Sequence, residues 1–452
     1  MFSKVLVANR GEIALRVIRA ARELGIRTVA VYSDADKDSM HVRSADESVS
    51  LGGRQSNENY LSIPKLIDAA KRSGASCIHP GYGFLSEDTR FALGCAEAKL
   101  KFIGPTVENL QLAGDKLDAK KSMRSAGLSV IPGSDVAVAK LADASALARE
   151  YGYPVILKAA AGGGGRGMRV CNDEAAVNEE FPVAQAEARA AFGDGKIYME
   201  KFISRGRHVE VQVLGDGKGD AVHLGERNCS VQRRHQKLIE ESPSPGIDAA
   251  LREKICAAAL QGVKRIGYLN AGTMEFLVDP SGNFYFIEIN ARIQVEHPVT
   301  EMVTGVDLIK EQFKIAMGEP LIPQAAIRSK GWAIECRINA EDPDMNFLPC
   351  PGIIETLFLP DGPGVRVDTH IYAGYEIPIY YDTLLAKLVA HAKTRDEAVA
   401  KMSRCLDEFM ISPTSTTIPF HKKALRDTDF VAGRYDTSFV SRYLEVEHDE
   451  DD

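Results

Sequence analysis

Three features are scarce in this 452-residue chain: paired cysteines, long apolar runs and a surplus of positive charge. The eight cysteines include no C-x-x-C pair, so their spacing indicates neither a zinc site nor a disulfide framework. No apolar run reaches the ~20 residues that span a bilayer, and the first residues lack the apolar centre of a signal peptide. We therefore expect a cytoplasmic protein without a membrane partner.

The charge balance argues against a nucleic-acid partner. The formal net charge is −8, and residues Glu447 to Asp452 concentrate acid at the C-terminal end, where a solvated tail is expected. Hydrophobic residues make up 45% and charged residues 26%, which is typical of a globular protein with a large core. The length predicts about three domains.

The first part of the chain alternates strands and helices. Lys4–Asn9 and Thr28–Tyr32 have the pattern of buried strands, Ile13–Arg22 has apolar residues at helical spacing, and Gly25 ends that helix. A further unit runs from Tyr60 to His79. This alternation predicts a parallel, doubly wound sheet, an α/β architecture.

Such a sheet raises the hypothesis of a dinucleotide-binding protein, because Asp34 and Asp36 follow the second strand, where an acid would bind a ribose. The turn Ala8–Glu12 has one glycine where that fingerprint needs three. We therefore reject hydride transfer.

The pattern changes twice further along the chain. It predicts an N-terminal α/β domain over residues 1–115, a small lid over 116–203, a β-rich, mixed α+β region over 204–445 and an acidic tail over 446–452. The lid contains a glycine run, Gly162–Gly167, directly after a strand that carries Lys158. Glycines there let backbone N–H groups surround phosphate oxygens, but the run is not a Walker A loop, because no Lys-Ser/Thr pair ends it.

A predicted hairpin carries a second chemical signal. If Val278 lies opposite Tyr285, Glu275 lies opposite Glu288, and Asn290 shares the face of Glu288. Two facing carboxylates repel each other unless a cation lies between them. Oxygen ligands of this kind suit Mg²⁺ or Mn²⁺, whereas the alternative is an exposed hairpin with incidental acids.

Polar clusters lie on both sides of this predicted hairpin in the sequence, and the one directly after it adjoins the predicted metal site. Arg292–His297 combines a cation, an amide and a carboxylate, which suggests the binding of a small anion. Glu226–Lys237 holds five cations or potential cations in twelve residues, either as a surface patch or to neutralise phosphate or carbonate. His297 is interpreted as a structural histidine, and Cys229 as a packing residue.

These segments together resemble the biotin carboxylase family, almost end to end from Lys4 to about Leu444. The resemblance rests on multi-residue motifs in family order, which are His79–Glu87, Gly162–Met168, Glu226–Lys237, Arg292–Glu301 and Glu335–Asp342. Departures are Ala291, Asn228 and Ser412, where Thr or Pro, Asp and Gly are usual.

The resemblance implies an ATP-grasp fold that binds ATP between the lid and the C-terminal region. Two Mg²⁺ or Mn²⁺ ions would be held by Glu275, Glu288 and Asn290. Bicarbonate would be surrounded by Lys237, Arg292, Gln294 and Val295, and biotin would meet Tyr82 and Arg337. The expected nucleotide contacts are Lys116, Lys158, Gly164, Gly165, Met168, Glu200, Lys201, Phe202, Ile203, His208, Gln232, His235 and Leu277.

The family also implies a mechanism, in which Glu296 deprotonates bicarbonate, Arg292 and Lys237 hold it, and carboxyphosphate forms. Arg337 would stabilise the enolate-like oxygen of biotin. Two alternative functions are considered. One is another ATP-grasp ligase, such as a carbamoyl-phosphate or amino-acid ligase, and the other is a non-catalytic nucleotide sensor. The sensor would lack ligand residues, yet Lys158 and Glu275 are present.

The expected partners are a separate biotin carboxyl carrier protein, a carboxyltransferase subunit and a second copy of the chain. Carriers present biotin on a lysine in an Ala/Val-Met-Lys-Met hairpin, whereas Lys401 lies in a predicted helix, Arg395–Phe409, and few residues follow Leu444. By resemblance, Arg19, Glu23 and Arg366 match a dimer interface, and the first two share one helix face.

Overall fold

The computed structural model describes residues 2–159, 168–234 and 236–442. Its first part is a five-stranded parallel sheet with helices packed around it. The elements are β1 (Lys4–Val7), α1 (Gly11–Glu23), β2 (Arg27–Tyr32), α2 (Met40–Ser44), β3 (Glu47–Ser50), α3 (Ile63–Ser73), β4 (Cys77–His79), α4 (Thr89–Glu97), β5 (Lys101–Phe102) and α5 (Val107–Gly114).

The order of this sheet, β3-β2-β1-β4-β5, confirms the predicted doubly wound architecture. The order reverses between β1 and β4, and ligands of such sheets bind beyond the carboxyl ends of the strands at that point. Asn9 follows β1 there, and its amide donates to the carbonyl oxygens of Pro80 and Tyr82, both at 2.7 Å. The loop after β4 is thereby fixed against the end of β1.

The second part is a small unit with its own apolar core. Its three-stranded antiparallel sheet has two helices packed against it. The elements are α6 (Lys116–Ser125), α7 (Leu141–Tyr151), β6 (Val155–Ala159), β7 (Arg169–Cys171), α8 (Glu174–Phe192) and β8 (Ile197–Lys201). The predicted phosphate-binding glycines Gly164 and Gly165 lie outside the described residues, as does His235.

The third part is rich in strands, as the sequence predicts. Its elements are β9 (Arg207–Asp216), β10 (Ala221–Arg233), β11 (Gln236–Ser242), α9 (Ala249–Arg265), β12 (Leu269–Val278), β13 (Phe284–Asn290), α10 (His297–Thr304), α11 (Leu308–Ala316), β14 (Trp332–Asn339), β15 (Glu341–Asp342), β16 (Leu348–Pro349), β17 (Gly352–Ile353), β18 (Thr356–Phe358), β19 (Val365–Thr369), β20 (Glu376–Ile377), β21 (Leu384–Ala392), α12 (Arg395–Glu408), β22 (Met410–Ser412), α13 (Ile418–Ala424) and α14 (Thr428–Val431). Eight strands form one antiparallel sheet in the order β13-β12-β9-β10-β11-β14-β21-β19.

The hairpin of β12 and β13 places Glu275 opposite Glu288, as predicted, but through a different register. Val278 lies opposite Phe284 rather than Tyr285, so the predicted pairing near the turn is wrong by one residue. A bulge at Ile287 restores the offset before Glu288. One extra residue on one strand shifts the pairing by one position, which periodicity alone does not reveal.

Short segments complete the described chain. Three 3-10 turns cover Ser56–Glu58, Gln324–Ala326 and Pro343–Met345. Within the described residues, no helix has both the length and the apolarity to cross a membrane. The domain boundaries at residues 115 and 203 stay predictions, and the tail over 446–452 lies outside the described residues.

Candidate active site

Three acidic side chains form a row across the large sheet. Glu275 on β12 lies opposite both Glu210 on β9 and Glu288 on β13. Arg227 on β10 lies opposite Glu210 and extends the row. The Arg227 side chain is fully buried, and its Nε donates to Glu210 Oε1 at 2.6 Å. The sheet thus concentrates three carboxylates on one surface.

Cations around this row keep the carboxylates ionised. Burial opposes ionisation of Glu275, but Lys237 and His208 lower its pKa to about 2. Burial likewise opposes ionisation of Glu210, and Lys237 and Arg227 lower its pKa to about 2. The pKa of Glu288 is also lowered, since Lys116 outweighs the effect of burial. All three carboxylates therefore carry negative charge near neutral pH.

The predicted metal ligands are brought together. The Asn290 amide nitrogen donates to Glu275 Oε1 at 2.7 Å, and Glu288 lies on the facing strand with Lys116 Nζ 3.1 Å from its Oε2. Ionised carboxylate and amide oxygens suit Mg²⁺, which uses few protein ligands. Ligand atoms of His208, Glu210 and Glu275 also lie within 4.8 Å of one another. The residues present therefore fit a magnesium site.

A second cluster lies around Lys237, which is held by three carboxylates. Its Nζ lies 2.5 Å from Glu210 Oε2, 3.1 Å from Glu275 Oε1 and 2.6 Å from Glu296 Oε1. Burial disfavours the ammonium, but Cys229 and these acids raise the pKa of Lys237 well above its ordinary value. Lys237 therefore stays charged and links the acidic row to Glu296.

Glu296 is fully buried and ionised. Burial alone would raise its pKa, but the charges of Lys237 and Arg337 bring the pKa of Glu296 below its ordinary value. Arg337 Nη2 donates to Glu296 Oε2 at 2.9 Å. A buried carboxylate between two cations can accept a proton from a bound acid.

Arg292 and Gln294 lie beside this cluster. Arg292 Nη1 donates to Gln294 Oε1 at 2.8 Å, and its Nη2 donates to Asn290 Oδ1 at 3.0 Å. Its Nε donates to Glu87 Oε2 at 2.8 Å, which connects it to the loop after β4. The predicted small-anion residues are therefore assembled next to the predicted metal ligands.

Tyr82 reaches the same region through buried charged groups. Its hydroxyl donates to Glu12 Oε1. Lys387 Nζ lies 3.1 Å from Glu12 Oε1 and donates to the Val295 carbonyl oxygen at 2.9 Å. Tyr82 and Val295 are thus linked by two residues that the sequence analysis did not select.

The predicted nucleotide residues fall into two groups. Lys116, Lys158 and Glu200 meet at the junction of the second and third parts, with Lys158 Nζ 2.5 Å from Glu200 Oε2. Burial and the charge of Lys116 lower the pKa of Lys158 to about 8. Lys120 also contacts Glu200. Crowded lysines of this kind are suited to a polyanion such as a nucleotide phosphate.

The second group makes fewer charged contacts. The Lys201 ammonium donates to the carbonyl oxygens of Gly152 and Tyr153, so it stabilises the small unit. Leu277 lies opposite His208, and Gln232 lies opposite Lys237. Met168, Phe202 and Ile203 are partly buried.

Some residues of the site were missed, although the sequence contained signals for them. Strand alternation in β9 places Glu210 on the face of His208, two residues away. Lys120 follows Lys116 by four residues on α6, which puts both on one helix face. Lys387 is the one lysine of β21, a strand that is apolar apart from it and His391, and it is fully buried. His297 is buried, with Nδ1 2.8 Å from the Gln294 carbonyl oxygen, in agreement with a structural role.

Comparison with known proteins covers nearly the whole chain. Family models match residues 1–110 (biotin carboxylase, N-terminal domain), 115–323 (carbamoyl-phosphate synthase L chain, ATP binding domain) and 335–442 (biotin carboxylase C-terminal domain). Biotin carboxylase 1 of Bacillus subtilis is 52% identical over 98% of this chain and 99% of the relative.

Solved structures agree with these matches. A biotin carboxylase complex with β,γ-ATP from Campylobacter jejuni has a TM-score of 0.95 at 50% identity, covering 98% of this chain and 99% of the other. The biotin carboxylase domain dimer of Hydrogenobacter thermophilus 2-oxoglutarate carboxylase, with MgADP, ADP and bicarbonate, has a TM-score of 0.95 at 48% identity, covering 99% and 98%.

The fold and the matched ATP-binding domain define an ATP-grasp ligase. The chain belongs to the biotin carboxylase family. The family, fold and enzyme class predicted from the sequence are therefore confirmed.

Proposed function

We propose that this chain carboxylates biotin carried by a separate protein, using MgATP and bicarbonate, through a carboxyphosphate intermediate. The observation that carries this proposal is the placement of Glu296 between Lys237 and Arg337, beside the carboxylate row that fits a metal. The alternative, a carbamoyl-phosphate or amino-acid ligase, accounts for the ATP-binding match, but it does not account for the two matched biotin carboxylase domains at residues 1–110 and 335–442.

The first half of the reaction joins bicarbonate to the terminal phosphoryl group of ATP. Lys237 and Arg292 hold the bicarbonate anion, and the ionised Glu296 removes its proton as the bicarbonate oxygen attacks phosphorus and ADP leaves. Glu275, Glu288 and Asn290 would hold two Mg²⁺ or Mn²⁺ ions, which supply positive charge to the phosphate oxygens. Lys116 and Lys158 supply further positive charge.

In the second half the carboxyl group moves to biotin. Carboxyphosphate separates into CO₂ and phosphate, the phosphate takes the proton from N1 of biotin, and N1 attacks CO₂. Negative charge then develops on the ureido oxygen, and the Arg337 guanidinium stabilises it. Tyr82 is the second proposed biotin contact, and its hydroxyl donates to Glu12, which is paired with Lys387.

The proposal is tested by an assay of the purified chain with MgATP, bicarbonate and free biotin. We expect ADP formation that depends on bicarbonate and rises with biotin, together with carboxybiotin. Transfer of the phosphoryl group to carbamate or an amino acid, with no carboxybiotin, would support the alternative ligase instead.

A separate carrier is expected because of the position of Lys401. This lysine lies on α12, and its ammonium donates to the carbonyl oxygens of Pro363 and His391 at 2.8 and 2.6 Å. A lysine fixed in a helix does not present biotin to a distant cleft. An avidin blot of the chain from its native source should show no covalent biotin, whereas a labelled polypeptide would contradict this prediction. A carboxyltransferase subunit is the proposed second partner.

We propose a homodimer in which α1 contributes Arg19 and Glu23, together with Arg366 on β19. The Arg19 side chain is exposed, and Glu23 Oε2 lies 2.5 Å from Lys310 Nζ with 62% of its side chain accessible. Sedimentation at micromolar concentration should give a dimer, and Arg19→Glu should shift it towards monomer. The matched control is Arg72→Glu on the exposed face of α3. A wild-type monomer, or equal effects of both variants, would contradict the assignment.

A further inference from the structure

Two buried glutamates face each other behind Arg337. Glu240 on β11 and Glu335 on β14 are direct partners in the antiparallel pair, and both are 0% exposed. Within the described residues, neither carboxylate oxygen of Glu335 has a hydrogen-bond partner, and Glu240 Oε2 has none. Two carboxylates at facing positions repel each other, and burial penalises each charge. One of the two must therefore hold a proton.

The contacts of Glu240 identify it as the charged member. Its Oε1 accepts from Arg337 Nε at 2.6 Å and lies 2.5 Å from Arg337 Nη2. Short contacts from two guanidinium nitrogens are typical of an ionised acceptor. Arg337 is the diagonal cross-strand neighbour of Glu240, so the sheet register itself sets this contact.

The surroundings of Glu335 identify it as the neutral member. Ala333 lies two residues earlier on the same face of β14, and Val389 lies opposite on β21. Both belong to a small apolar cluster with residues of α10. Burial and the charge of Glu240 outweigh Lys387 and raise the pKa of Glu335 well above its ordinary value. Glu335 therefore keeps its proton near neutral pH.

Glu240 matters most once the proposed reaction has begun. In the resting site the Arg337 guanidinium lies between two carboxylates, since Nη2 also donates to Glu296. When Glu296 takes the bicarbonate proton, it loses its charge and its hold on Arg337 weakens. Glu240 is then the remaining anion in contact with the guanidinium, at the stage when Arg337 must meet biotin.

We propose that Glu240 is a positioning residue that fixes the Arg337 guanidinium for the biotin half of the reaction, and that Glu335 carries the proton that lets Glu240 remain charged. This inference rests on the proposed role of Arg337, and it assigns Glu240 and Glu335 to the support of that residue. Neither glutamate is assigned a contact with substrate.

The arrangement predicts a pH dependence that is confined to the biotin half. Burial, opposed by Arg337, raises the pKa of Glu240 to about 7. Because the charged form is the one that holds Arg337, carboxylation should be supported above this pKa and should fall as the pH drops through it. The other titratable or charged groups that interact with Glu240 are Cys229 on β10, Lys237 on β11, Glu335, Cys336 and Arg337 on β14, and Glu296 directly before α10.

The test compares Glu240→Gln with Glu335→Gln, the same substitution at facing positions. Each full-length variant is assayed for bicarbonate-dependent ATP cleavage without biotin, and for kcat and KM of free-biotin carboxylation across pH. Glu240→Gln should lower kcat for carboxylation by about 10- to 100-fold, the range found when a hydrogen-bonded partner that orients a metal ligand is removed. In this variant the fall of carboxylation on the acidic side of neutral pH should disappear. Biotin-independent ATP cleavage should stay close to wild type. Glu335→Gln replaces a neutral acid by a neutral amide and should retain carboxylation.

Arg337→Ser is measured in parallel, so that a failure of the role proposed for Arg337 can be told apart from a failure of the role proposed for Glu240. If Arg337→Ser carboxylates biotin normally, the proposed role of Arg337 is wrong. The role of Glu240 is overturned if Arg337→Ser loses carboxylation while Glu240→Gln keeps it. It is also overturned if Glu240→Gln loses carboxylation and ATP cleavage equally. Loss of carboxylation in a folded Glu335→Gln variant would overturn the assignment of Glu335 as the neutral member. If Glu240→Gln does not fold, Glu240→Asp, which keeps the charge but is too short to reach Arg337, must show the same selective loss.

Discussion

Replacing Glu296 by glutamine is expected to reduce bicarbonate-dependent ATP cleavage by about 10²- to 10⁴-fold, the usual contribution of a general base. The amide matches the carboxylate in shape but has a single acceptor oxygen, so it can accept from Lys237 or from Arg337, which donate to different oxygens of Glu296, and it cannot take a proton. Initial rates of ADP formation, measured with and without bicarbonate, provide the test. KM for ATP should change little, because the cations in contact with Glu296 are Lys237, a proposed bicarbonate contact, and Arg337, a proposed biotin contact, rather than the lysines near Glu200.

A matched control for this variant is Glu226→Gln. Glu226 is also a buried glutamate on the large sheet, but it accepts from Arg252 and the Ser244 backbone, outside the site. It should keep activity close to wild type. If Glu296→Gln retains turnover, or if both variants lose it equally, Glu296 is not the base.

Replacing Glu288 by glutamine should raise the Mg²⁺ concentration needed for half-maximal ATP cleavage by about 10- to 100-fold. Glu288 is one of two ionised carboxylates at facing positions, and removing its charge leaves Glu275 and Asn290 to hold the ion. Titration of ADP formation with Mg²⁺, and separately with Mn²⁺, measures the shift. Part of the lost rate should return at high metal concentration.

The same hairpin offers the control for this measurement. Asp279 lies in the turn, where its side chain accepts from the backbone of Ser281 and Asn283. Asp279→Asn removes one negative charge from the hairpin, keeps an acceptor and should leave the Mg²⁺ dependence unchanged. Unaltered metal dependence in Glu288→Gln would mean that the predicted metal site is wrong.

The β12–β13 hairpin shows how far local reasoning extends. Alternation and a turn signal predicted the hairpin and the pairing of Glu275 with Glu288, because the two strands are close in sequence and share one turn, but the register behind that prediction was not the observed one. The bulge at Ile287 was not predicted, and the pairing at Val278 was therefore wrong by one residue. The final placement of the acids was nevertheless correct, because the bulge lies between Glu288 and the turn.

Other residues of the site were harder to find for a different physical reason. Glu210 joins the carboxylate row only because β9 pairs with β12, about sixty residues later in the chain. Glu240 faces Glu335 because β11 pairs with β14 across about a hundred residues. Strand periodicity shows which face a side chain occupies, but it does not show which strand will lie beside it.

The sequence by itself determined the family, the doubly wound first part, the carboxylates of the hairpin and the chemical type of most site residues, because these depend on local spacing and on contiguous motifs. Only the tertiary structure decided which charged groups meet. Lys237 contacts three acids, and Lys387 links Glu12 to Val295. Among the described residues, the Glu335 carboxylate has no hydrogen-bond partner, and it lies beside the ion pair of Glu240 and Arg337. The physical reason is that the charge state of a buried group depends on its neighbours in space, and those neighbours come from strands far apart in sequence.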